Sequence, residues 1–190
     1  DLFVLLYAGN CKIGDGFDLL IEALRSSLNA GLNVQLKVLG TAGRTGHAKV
    51  LRDSIEADRI LCGAVEYLGR VSDDEYPKVL ASVDCLVLPR PDCQTVLAAF
   101  PTRLPEFLGS GVVVLTTSVP DVPLYLEAGV HAEIVEPSAK GLASGISILY
   151  QDPERAKKIG LNGSFHAREV FDYKMHTRKL VEFVGEQLDK

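Results

Sequence analysis

The apolar positions of this chain fall into two alternating kinds of segment. LFVLLYAG (2–9), VQLKVLG (34–40), VEYLGRV (65–71), DCLVLP (84–89), VVVLTTS (112–118) and AEIVEP (132–137) are short and mostly unbroken. Between them, apolar residues recur every three or four positions. In FDLLIEALRSSLNAG (17–31), Leu19, Leu20, Ala23 and Leu24 share one face and Gly31 supplies the stop. The same periodicity predicts helices over 47–58, 73–83 (with Ser72 as N-cap), 121–129 and 139–152. A polar helical tail fills 154–190. FPTRLPEFLGSG (100–111) reads as a helix start with Thr102 as N-cap and Pro105 in the first turn, where a missing N–H costs little.

Six strand-like runs alternating with helices predict an α/β fold. Unbroken apolar runs are those of parallel strands covered on both faces, so the expected architecture is a doubly wound, parallel, six-stranded Rossmann-like sheet. Ligands of such sheets bind outside the carboxyl ends of the strands.

Composition narrows the partners. The chain has 190 residues, 47% hydrophobic and 24% charged, with a net charge of −5, which suits one globular domain over 1–190. An acidic balance without a dense Lys/Arg cluster argues against nucleic acid. No apolar run reaches the roughly 18 residues of a membrane-spanning helix. The chain opens on Asp1 and enters an apolar run at once, which reads as an excised piece of a longer protein. Cys11, Cys62, Cys85 and Cys93 form no C-x-x-C pair. Cys62 and Cys85 read as small core residues, and reduced thiols imply a cytoplasmic setting. No two histidines are spaced for a metal.

Three loops at strand carboxyl ends carry candidate chemistry. GNCKIGDG (9–16) can bring backbone N–H groups to a phosphate, although taken alone it reads as an ordinary glycine-rich turn. GTAGRTGHAK (40–49) fails the Walker pattern, because Thr45-Gly46-His47 stand where Gly-Lys-Ser/Thr belongs. There is no G-x-G-x-x-G either. A phospho-receiver site is disfavoured, since Asp15 is a lone acid after the first strand and TTS follows the fifth.

The third loop is the opening of the helix near residue 102. A cation in a first helical turn is disfavoured by about 0.3–1 kcal/mol unless an anion sits beside it. Arg103 stands there. A phosphate would explain it, met by the helix N–H groups and the forked guanidinium. Glu106, one turn on, is placed to accept from a pair of sugar hydroxyls. The bland alternatives are a helix-stabilising acid or an i,i+3 partner for Arg103.

The ordered set YLGRVSDDEYPKVLASVDCLVLP, PTRLPEFLGSGVVVLTTSVPDVPLYLEAG, EIVEPSAKGLASGISILYQDPERAKKIGLNG and FDYKMHTRKLVEF resembles the carboxyl-terminal, donor-binding half of retaining GT-B glycosyltransferases, glycosyltransferase group 1. The resemblance covers essentially the whole chain. It implies an enzyme that transfers a sugar from a nucleoside-diphosphate sugar without a metal or other cofactor. An amino-terminal domain of the same chain would bind the acceptor. It also allows peripheral membrane association of the full-length protein and implies that the isolated domain is inactive. On this resemblance Glu106 holds the ribose, Arg103 with the backbone of Thr102 to Leu104 lies beside the diphosphate, Gly9 ends the first strand, and Arg70 and Val71 line the base.

The chain also departs from the family. Asn10 and Asp15 stand where an arginine and a lysine usually contact the diphosphate, with Lys12 out of register. Ala98 replaces a glutamate eight residues before the ribose glutamate, with Asp92 nearby. Arg103 would have to compensate, with Arg44, Arg90 or a group from the other half. The alternative is an impaired domain serving as a binding or scaffolding half in a glycan-assembly complex.

Overall fold

The structure, a computed structural model, describes residues 1–9, 11, 14–40, 46–97 and 100–188. The order is β1 (Phe3–Ala8), α1 (Phe17–Asn29), β2 (Val34–Leu39), α2 (Gly46–Glu56), β3 (Val65–Gly69), α3 (Tyr76–Ala81), β4 (Cys85–Leu88), α4 (Gln94–Leu97), α5 (Leu104–Gly109), β5 (Val113–Thr117), α6 (Val122–Tyr125), β6 (Glu133–Val135), α7 (Ala139–Gln151), α8 (Pro153–Val170) and α9 (Tyr173–Leu188). The six strands form one sheet in the order β3-β2-β1-β4-β5-β6, and every pairing is parallel. The expected doubly wound Rossmann-like fold is borne out.

Alternate side chains of each strand enter two different cores. Leu5, Leu36, Cys85 and Leu115 pack with Leu20 and Leu24 of α1 and Leu142 and Ile146 of α7. Leu6, Leu86 and Val114 pack on the other face with Leu80, Leu104, Phe107 and Leu108. Both faces are dry, which is why the strands read as unbroken apolar runs. Each of these fully buried Leu or Phe side chains contributes about 1.5–3 kcal/mol. Phe107 and Leu104 thereby fix α5 against the sheet.

Five local expectations are corrected. Thr102 is not the N-cap of α5; Arg103 is, with no side-chain cap. The Leu104 N–H already donates to the Pro101 carbonyl at 2.8 Å, and Pro105 has no N–H, so neither donor that a Thr102 hydroxyl would satisfy is available. Ser72 precedes α3 by a turn. Its N–H and hydroxyl both donate to the Glu75 carboxylate, and Glu75 takes the N-cap position. Cys85 is buried, but Cys62 is exposed. It lies in the turn between α2 and β3, where its neighbour Leu61 takes the inward position. The helix expected over 121–129 ends at Tyr125, and the polar tail is broken at 171–172 into α8 and α9.

Candidate functional site

The strand order reverses between β1 and β4, which opens a crevice at their carboxyl ends. Its floor is bare backbone. The ladder runs on past the strands, with Gly9 N–H donating to Leu39 O at 2.9 Å and Gly40 N–H to Gly69 O at 2.7 Å. Gly40 has φ +127°, and a Cβ there would lie 2.3 Å from the Gly9 carbonyl oxygen, so no other residue fits without moving the floor. Gly16 is the left-handed N-cap of α1 and packs against the Pro89 carbonyl, which ties the loop after β1 to the loop after β4.

Two adjoining clefts stand on this floor. One, of about 180 Å³, is lined by Tyr7, Gly9, Asp15, Arg90, Thr102 and Arg103, among others. The second, of about 420 Å³, is lined by Gly40, Arg70, Val71, Tyr76, Arg103 and Glu106, with Leu39 and Asp73. Arg103 lines both. The structure thus brings together Gly9, Arg70, Val71, Thr102, Arg103 and Glu106. The Leu104 side chain is fully buried in the core, and its N–H is taken by the Pro101 turn. Asn10, with Lys12, Arg44 and Ala98, lies outside the described residues.

Arg103 and Glu106 are both accessible from the cleft they line. Among the described residues the ion pairs are Arg25–Asp58, Arg52–Glu56 and Arg155–Glu133, so the i,i+3 pairing of Arg103 with Glu106 does not form. Arg103 is thus free of Glu106, whose carboxylate instead accepts from the Tyr76 hydroxyl. Tyr76, at the start of α3, stands beside them. Burial, followed by the Glu106 carboxylate, pushes its phenol up to about 12, with Arg103 pulling the other way. Tyr7 is raised as well, first by burial and then by Cys11 and Asp15. Both phenols therefore stay protonated, and Tyr76 spends its one donor on the Glu106 carboxylate, which it orients in the cleft. Neither stands out in the sequence alone.

A larger cavity, of about 600 Å³, opens at the opposite end of the sheet and is lined by Phe3, Asp84, Val113, Tyr150 and Lys157, among others. Size does not make it the better site. It lies at the amino ends of the strands, away from the switch point and the glycine loops. Among the described residues, no group of three or more His, Cys, Asp or Glu could hold a metal, and no helix is long and apolar enough to cross a membrane.

The fold is that of solved glycosyltransferases. Alr3699/HepE of Anabaena, crystallised with UDP-glucose, superposes with a TM-score of 0.81 at 21% identity, over 98% of this chain and 49% of that one. Sucrose-phosphate synthase of Thermosynechococcus elongatus gives 0.80 at 20% identity, over 98% and 46%. This chain spans about half the length of both. The carboxyl-terminal domain of a glycosyl transferase group 1 protein, LpcC of Francisella tularensis, gives 0.74 at 19% identity, over 90% and 87%. No curated protein matches the chain in sequence. The family model described as glycosyl transferases group 1 matches residues 1–164, and the chain belongs to that family.

Proposed function

We propose that this chain is the donor-binding half of a retaining glycosyltransferase that takes its sugar from a nucleoside diphosphate without a metal ion. An amino-terminal domain of the same protein supplies the acceptor. The observation that carries the reading is the pair Arg103 and Glu106, one turn apart and unpaired with each other, lining adjoining clefts over a glycine floor. Arg103 and the start of α5 hold the diphosphate, Glu106 accepts from the ribose hydroxyls, and Arg70 and Val71 flank the base. Gly9 and Thr102 border the phosphates, and Asn10 completes the set of proposed contacts. When the anomeric bond breaks, negative charge grows on the departing diphosphate, and a preorganised cation lowers that barrier. HepE, a protein of this fold, was crystallised with UDP-glucose, which supports the choice of ligand class.

Calorimetry with UDP, GDP and ADP tests the site. The wild type is expected to bind one of them, and Glu106→Ala to bind it about tenfold or more weakly, as expected for the loss of a charged hydrogen-bond acceptor. Equal binding by both proteins, or none by either, would count against the assignment.

A second reading, a catalytically impaired scaffold, is favoured by Asp15, an acid that lines the same cleft as Arg103. Transfer or hydrolysis of a sugar donor by the full-length protein would exclude it.

A further inference from the structure

We infer that Arg90, in the loop after β4, is the second cation of the diphosphate site and grips the phosphate that bears the sugar. The inference rests on the donor-site reading above. Arg90 shares its cleft with Gly9, Asp15, Thr102 and Arg103. The second cleft, with Glu106, Arg70 and Val71, does not include it. A nucleotide whose ribose lies at Glu106 passes Arg103 first, because Arg103 lines both clefts, and reaches Arg90 only with its outer phosphate.

The backbone of Arg90 is held on both sides. Its N–H donates to Leu88 O at 3.0 Å, and its carbonyl accepts from the Thr117 hydroxyl at 2.6 Å. Thr117 is itself fully buried in β5. The side chain is not held in the same way. Arg90 Nε is buried with no hydrogen-bond partner among the described residues. A buried guanidinium N–H is rarely left unmade, since the charge makes desolvation expensive. Asp15 lines the same cleft, yet forms no ion pair with Arg90 or Arg103. A guanidinium with spare forked donors beside a second guanidinium is suited to bridging phosphate oxygens. Asp15 leaves this cleft with less positive charge than two arginines alone would give, which makes both cations necessary.

The test uses the full-length protein and compares three ligands that share a base: the nucleoside, its monophosphate and its diphosphate. Arg90→Gln is expected to weaken the diphosphate about tenfold or more while leaving the nucleoside and monophosphate within about twofold. Arg90→Lys should restore part of the loss, and the diphosphate should bind Arg90→Gln with a shallower salt dependence than the wild type. Equal weakening of all three ligands, with Arg90→Lys no better, would mean a structural role and overturn the inference. Unchanged diphosphate binding in Arg90→Gln, with Glu106→Ala still impaired, would overturn it while leaving the donor site standing. If neither Glu106→Ala nor Arg90→Gln alters binding, or the wild type binds no diphosphate, the donor site and this inference fall together.

Discussion

Replacing Gly40 by alanine tests whether the crevice floor is held by backbone alone. The substitution acts in two ways. At φ +127° a residue with a Cβ is strained by about 1–3 kcal/mol. The new methyl also lies 2.3 Å from the Gly9 carbonyl oxygen, so the Gly9 peptide must retreat by about 1 Å to restore ordinary contact. Overpacking of this kind adds about 1–3 kcal/mol, for a total of about 2–5 kcal/mol. A domain of ordinary stability, about 5–15 kcal/mol, remains folded after such a loss. Gly31→Ala is the control. Its φ is +83°, but nothing lies within 4 Å of the place its methyl would take, so only strain of about 1–2 kcal/mol applies. Urea denaturation followed by circular dichroism measures both variants. Nucleoside-diphosphate titration should then show Gly40→Ala weakened by about tenfold, because the floor has shifted by about 1 Å, and Gly31→Ala unchanged. If Gly40→Ala costs no more than Gly31→Ala and binds normally, the argument for a backbone floor is wrong.

Asp15→Lys replaces the acid that shares a cleft with Arg90 and Arg103 by a cation. It should tighten diphosphate binding several-fold at low salt and lose that gain at high salt, as screened charges do; weaker binding would mean that Asp15 serves the ligand directly. His131 stacks on His166 with ring centroids 3.9 Å apart, and its Nδ1 accepts from the Glu127 N–H. Burial first, and then the His166 charge, lower its pKa below the ordinary 6.5, with Glu127 opposing. The unfolded chain therefore takes up the proton first, so this stability is present above pH 6.5 and is lost as pH falls through the folded value. Urea midpoints should drop on acidification below pH 6.5 and do so less in His131→Gln; parallel profiles would contradict this.

What is legible in the sequence follows from what is local. Leu5 and Leu6 point to opposite cores, both apolar, so β1 announces itself as a buried parallel strand. Arg103 and Glu106 are legible because a cation in a first helical turn calls for an explanation. The start of α5 lies one residue beyond the expected cap because the Pro101–Leu104 turn consumes the donor that Thr102 would have capped. The break between α8 and α9 depends on tertiary contact, since Phe171 stacks with Phe100 and Tyr125 from distant parts of the chain. Tyr7 and Tyr76 escape a sequence reading for the same reason. Their proximity to Arg103 and Glu106 arises only when β1, α3 and α5 meet at one end of the sheet.

The most direct test is a crystal structure of the chain with a nucleoside diphosphate bound. The pyrophosphate should lie within hydrogen-bonding distance of Arg103 at the start of α5, with both ribose hydroxyls on Glu106 and the base beside Arg70 and Val71. A nucleotide seated instead in the larger cavity near Phe3, Tyr150 and Lys157 would contradict the account.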